Sequence, residues 1–121
     1  MNRRSVALPL ATALALAALA ACSKDERQAI VVQKDRISVF NLTDAAWTDV
    51  DVWLNDHYRV QAAGLVPGQR LDIPIGVFIA GYGQRFDNRR QAPFGVEVDA
   101  RRADGRPVRI TWGRGRRGRQ P

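Results

Sequence analysis

Phe94-Gly95-Val96-Glu97-Val98-Asp99-Ala100-Arg101-Arg102-Ala103-Asp104-Gly105-Arg106-Pro107-Val108-Arg109-Ile110-Thr111-Trp112 is the stretch that decides the fold. Phe94, Val96, Val98 and Ala100 alternate with Gly95, Glu97, Asp99 and Arg101. After Asp104-Gly105 the alternation resumes, with Val108, Ile110 and Trp112 set against Arg109 and Thr111. Period-two alternation marks strands with one buried face, and Asp-Gly supplies the left-handed backbone that a tight hairpin needs. The stretch therefore predicts two antiparallel strands.

The same period extends upstream. Val50, Val52 and Leu54 alternate with Asp49, Asp51 and Trp53, and Ile37 and Val39 alternate with Arg36 and Ser38. Leu71, Ile73, Ile75, Val77 and Ile79 carry the alternation across Pro74, which suits an edge position or a point where a strand changes sheets. Asn55-Asp56 and Pro67-Gly68 punctuate the runs, and no apolar stripe of period 3.6 follows Cys22. The expected fold over residues 36–112 is all-β: a small antiparallel β-sandwich or partly open barrel of six or seven strands. Its inner face should comprise Ile37, Val39, Val50, Val52, Leu54, Leu71, Ile73, Val77, Val96, Val98, Val108 and Ile110. An antiparallel core of this size resembles the immunoglobulin-like modules of bacterial surface proteins, in architecture only, since their cysteine-tryptophan-cysteine framework is absent.

Residues 22–35 read as a charged tether, with Ala29-Ile30-Val31-Val32 as an apolar patch that would alternatively serve as a short edge strand. Residues 113–121 alternate glycine with arginine and lack any apolar side chain, so a disordered tail is expected. A domain of about 77 residues buries only around 60 % of its unfolded surface, and its stability margin is thin. Disulfides cannot compensate, because Cys22 is the only cysteine.

The net charge of +7 resides at the ends. Arg3 and Arg4 precede the apolar run, and Arg114, Arg116, Arg117 and Arg119 crowd the last eight residues. The span between is close to neutral, so the basic pI does not argue for nucleic acid.

Met1 to Ser5 is short and basic, and Val6 to Ala21 is apolar apart from Thr12. Sixteen helical residues would reach roughly 24 Å, short of the hydrocarbon core at about 30 Å. Ser23-Lys24-Asp25-Glu26-Arg27 follows at once. A basic start, an apolar run and small residues before a polar boundary describe a secretory signal helix occupying residues 1–21. Leu19-Ala20-Ala21-Cys22 resembles the lipobox of bacterial lipoproteins: an aliphatic residue, two small residues and a cysteine. The resemblance implies diacylglyceryl transfer to the Cys22 sulfur, cleavage between Ala21 and Cys22, and acylation of the new α-amine. Two or three acyl chains then hold the protein on a lipid bilayer. Ser23 after the cysteine implies sorting to the outer membrane, facing the periplasm. An ordinary cleaved signal or an uncleaved anchor is the alternative reading of the same segment.

The inventory for catalysis is poor. His57 is the only histidine and falls between two expected strands, and one histidine without a cysteine partner makes a poor zinc site. Ser5, Ser23 and Ser38 lack the context of an activated nucleophile. Asp49 and Asp51 share one face of a strand, where alternating aspartates commonly serve solvation. Gly76, Gly81 and Gly83 precede neither a lysine nor a helix, so they carry no nucleotide signal. No catalytic residue, metal or cofactor is expected.

The candidate binding surface is aromatic and basic: Trp47, Trp53 and Tyr58, with Arg114, Arg116, Arg117 and Arg119 in the tail. Trp53 is out of phase with Val52 and Leu54 and should lie on the outer face, able to stack on a sugar ring or a partner. The expected function is a membrane-anchored, non-enzymatic accessory or binding module that contacts an envelope protein or anionic envelope polymers. Two alternatives are a small envelope hydrolase or metal-dependent enzyme using His57 with Asp51 or Asp56, and a polyanion-binding protein acting through its arginine tail.

Overall fold

The computed structural model describes residues 28–114. Residues 1–21, expected as a signal segment and ending at Ala21, lie outside the described residues, as do Cys22, Arg116, Arg117 and Arg119. Eight strands follow in order: β1 (Ile30–Val32), β2 (Arg36–Phe40), β3 (Trp47–Leu54), β4 (Tyr58–Leu65), β5 (Arg70–Pro74), β6 (Ile79–Ala80), β7 (Gly95–Arg102) and β8 (Pro107–Gly113), with a 3-10 turn at Ile75–Val77. The fold is all-β, and the strands form two antiparallel sheets, β1-β2-β5 and β6-β4-β3-β7-β8. This arrangement is consistent with a small β-sandwich.

The deciding stretch forms β7 and β8 as its alternation requires. Val98 pairs with Ile110 and Asp99 with Arg109, so apolar and charged residues occupy opposite faces. Gly105 closes the turn at φ 88°, a backbone region that costs glycine little. Gly113 ends β8 at φ 69°, where an added Cβ would collide with the Phe94 carbonyl.

Pro74 ends β5 in the smaller sheet, and the 3-10 turn then hands the chain to β6 in the larger one. The proline thus stands where the chain changes sheets. Ala29-Ile30-Val31-Val32 joins the smaller sheet, Ile30 pairing with Val39 and Val32 with Ile37. β2 to β8 are seven strands over the span for which six or seven are expected, and β1 is the edge strand that Ala29 to Val32 alternatively offers.

The core contains nearly all of the expected inner face. Val77 is the exception: it sits in the 3-10 turn, where alternation no longer applies, and is 41 % exposed. Leu71, Val108 and Ile110 are half-buried because β5 and β8 are sheet edges. Trp47, Leu65, Ile75, Phe78 and Phe86 join the core, together with Ile30, Tyr58, Ala80 and Ala100.

Two buried asparagines lace the ends of the sandwich. At one end Asn41 Nδ2 donates to the carbonyls of Ala45 (2.9 Å) and Leu65 (2.8 Å), while its Oδ1 accepts from Thr43 N and Thr43 Oγ1. At the other, Asn55 Nδ2 donates to Ala92 O and Oδ1 accepts from the amides of Phe94 and Gly95. Asn55 also holds φ 50°, a left-handed conformation that asparagine tolerates better than most residues. Buried carbonyls and amides stripped of such partners are costly. Asn41→Ala is therefore expected to lower unfolding free energy by about 2–3 kcal/mol, measured by urea denaturation.

The chain enters and leaves at opposite ends. Phe40 N donates to Ala29 O, so the start of β1 lies beside the end of β2, with the 41–46 loop and the 66–69 turn. Gly113 pairs with Gly95 at the start of β7, the end that carries the 55–57 turn.

Candidate functional site

The outer face of the five-stranded sheet gathers the polar and aromatic residues that the core excludes. Trp53 on β3 stands between Arg59 on β4 and Glu97 on β7 as backbone partners. The Arg59 guanidinium carbon lies 5.2 Å from the centre of a Trp53 ring, within cation–π range. Beside them an open groove of about 450 Å³ is lined by Trp53, His57, Arg59, Gln61, Ile79, Ala80 and Gly81. Trp53 is partly exposed there, on the face that its phase in the sequence predicts.

His57 is exposed in the turn between β3 and β4, at the mouth of this groove. Asp51 lies in a separate hollow of about 400 Å³, lined by Asp49, Asp51, Asp99, Ala100, Arg101, Pro107, Val108 and Arg109. The structure therefore does not bring His57 and Asp51 into one cavity. In that second hollow Arg109 Nε lies 3.4 Å from Asp99 Oδ1 and 3.9 Å from Glu97 Oε2. Glu97 is buried on this outer face, its neighbours across the ladder being Trp53 and Thr111. Ser38 is on the smaller sheet, where its Oγ donates to Asp72 Oδ1 at 2.6 Å. Among the described residues no group of three or more histidine, cysteine, aspartate or glutamate side chains could hold a metal ion.

Two expected surface residues belong to the core. Trp47 is 1 % exposed, because β3 carries a bulge between Thr48 and Asp51 with Asp49 at φ 51°. The additional residue inverts the phase of the strand, so Trp47 points inward together with Val50, Val52 and Leu54. Tyr58 is 7 % exposed, since it pairs with Leu54 and so shares its inward face. Its ring meets Phe86 edge-on at 5.2 Å, and its hydroxyl accepts from Gln91 Nε2. Neither residue contributes to a binding surface.

Arg114 is exposed and stacks over Phe94 at 4.9 Å, at the end of the sandwich away from Ala29. Arg59, Gln61, Ile79, Asp99 and Arg109 enter the site without having been singled out in the sequence. Their common face becomes visible only once β4, β6 and β8 are in register with β3 and β7.

These features define a small two-sheet β-domain with an aromatic and charged outer face. No family model matches the chain, and no curated protein or solved structure does either.

Proposed function

We propose that this chain is a lipid-anchored lipoprotein of the bacterial envelope and that its β-domain is a non-enzymatic binding module. Residues 1–21 are removed, Cys22 carries the acyl chains, and Ser23 directs the protein to the outer membrane, facing the periplasm. The observation that carries the reading is Leu19-Ala20-Ala21-Cys22, the lipobox pattern placed on the only cysteine and preceded by a basic start and an apolar run. Cysteine acylation explains why a chain exported to an oxidising compartment keeps one unpaired thiol position.

The strand order supports an immunoglobulin-like resemblance in architecture only. Apart from β6, which adds beyond β4 and has no counterpart, the order β1-β2-β5 against β4-β3-β7-β8 is similar to the A-B-E and C′-C-F-G strands of such sandwiches, without their cysteine pair. The Trp53–Arg59 groove is the binding surface this reading favours, because an aromatic face beside a guanidinium and the Gln61 amide suits a polar partner with flat apolar patches. His57 and Asp51 lining different hollows counts against that pairing of the hydrolase alternative.

Intact-mass spectrometry of the protein extracted from membranes tests the proposal. The expected species lacks residues 1–21 and carries a diacylglyceryl group on Cys22, with or without a third acyl chain on the α-amine. A free thiol at Cys22 would overturn it.

Polyanion binding through the tail is a second reading, favoured by the place where the chain leaves the domain. Arg114, exposed and stacked over Phe94, stands at the end away from Ala29 and so away from the proposed anchor.

A further inference from the structure

We propose that Leu42 and Val66 dip into the bilayer that holds the Cys22 acyl chains, so that the domain stands on the membrane on one defined end. The proposal rests on the reading of Cys22 as acylated.

Three observations point to this end of the sandwich. The first is where the chain comes from. Gln28 is the first described residue, six positions after Cys22, and Ala29 already hydrogen-bonds to Phe40 at 2.8 Å. Six residues reach at most about 20 Å, so an acylated Cys22 keeps this end close to the lipid surface. The second is apolar exposure at the two tips there. Leu42, in the loop between β2 and β3, is 44 % exposed, and Val66, in the turn between β4 and β5, is 56 % exposed. The tips are held together: Gly68 N donates to Asn41 O, Asn41 N donates to Gln69 O, and Asn41 Nδ2 donates to Leu65 O. They present a fixed pair of side chains rather than two independent loops.

The third observation is charge. Arg70 begins β5 beside Phe40, and Arg101, Arg102 and Arg106 flank the turn between β7 and β8, all at this end. Arg70 pairs with Asp72 at 2.9 Å, and Arg102 and Arg106 both approach Asp104 at 3.7 Å. Asp44, Asp49, Asp72 and Asp104 match these four arginines in number, so the apolar tips sit in a charged but balanced ring with no net repulsion from a lipid surface. Exposed apolar tips ringed by arginines and aspartates suit the boundary between acyl chains and polar headgroups. The larger apolar exposure of Val77, Ile79 and Tyr82, of which Ile79 lines the Trp53 groove, lies at the other end and is then directed away from the bilayer.

Single-cysteine labelling of the acylated protein tests this orientation. Cys22 bears its lipid through a thioether and does not take up a thiol-reactive dye, so Leu42→Cys, Val66→Cys and Tyr82→Cys each present one labelling site. Each variant is labelled with an environment-sensitive fluorophore and reconstituted into vesicles of phosphatidylethanolamine and phosphatidylglycerol that contain lipids spin-labelled high on the acyl chain. The expected result is blue-shifted emission and several-fold stronger quenching at positions 42 and 66 than at 82. Equal quenching at the three positions, or stronger quenching at 82, in protein whose mass shows acylation would overturn the orientation while leaving the anchor intact. Protein whose mass shows no acylation would overturn the anchor and the orientation with it.

Discussion

Cys22→Ser should release this protein from the membrane. The step that attaches the lipid needs a nucleophile, and a thiol is a far better one near neutral pH than an alcohol, because a few per cent of it is already thiolate. A serine at position 22 therefore stays bare. The energetic difference is large: each buried methylene contributes about 0.8 kcal/mol, one 14-carbon chain alone gives an association constant of about 10⁴ M⁻¹, and a second chain makes the anchoring stable. What remains without the lipid is the contact of Leu42 and Val66, two partly exposed side chains whose burial in the headgroup region is reversible. The variant is best exported behind a leader that the general signal peptidase removes, because the apolar run Val6 to Ala21 would otherwise hold an uncleaved precursor on the membrane. In washed fractions the acylated protein should sediment with membranes and require detergent for release, and the processed serine variant should appear in the soluble periplasmic fraction. A processed serine variant that sedimented as completely as the parent would show that something other than acyl chains attaches the chain.

The sequence made the sheet content legible where alternation is strong and local. Val96, Val98, Val108 and Ile110 declare β7 and β8, and Asp104-Gly105 declares the turn between them, since residue period and turn chemistry agree there. β4 was hidden, because Tyr58 to Leu65 contains Ala62, Ala63 and Gly64, residues with little preference for strand and little apolar area. Its conformation comes from pairing along the whole of β3, a tertiary cause that no local pattern records. Asn55 reads as a turn former and nothing local singles out Asn41; the role of both appears only when distant carbonyls are brought to them. The candidate site was half legible. Trp53 could be placed on the outer face from its neighbours Val52 and Leu54, but extending the same count back to Trp47 fails at the bulge. Asp49 takes a left-handed conformation that aspartate reaches more readily than most residues, and nothing in the local spelling distinguishes it from Asp51.

That inversion separates two tryptophans that lie six residues apart, and it sets the largest stability effect expected within the domain. Trp47→Ala should cost about 3–5 kcal/mol, the range for removing a large aromatic side chain from a packed interior. A domain of this size has only about 4–13 kcal/mol in total, so the loss removes about a quarter or more of it and, at the low end of that range, unfolds most of the protein. Trp47 is well placed to have this effect: it opens β3, pairs with Leu65 and Arg102 on the two neighbouring strands, and is fully enclosed. The indole Nε1 is buried without a hydrogen-bond partner, so Trp47 is held by packing and contributes no polar bond. Trp47→Phe should therefore lose much less, because a ring still fills most of the space and the orphaned donor disappears. Trp53→Ala should lose less again, since Trp53 is partly exposed on the outer face and leaves the interior packing untouched. Urea unfolding followed by far-ultraviolet circular dichroism ranks the three variants without depending on the tryptophan signal itself. Equal losses for Trp47→Ala and Trp53→Ala would mean that β3 keeps an uninterrupted alternation, with no inversion of phase between Trp47 and Val50.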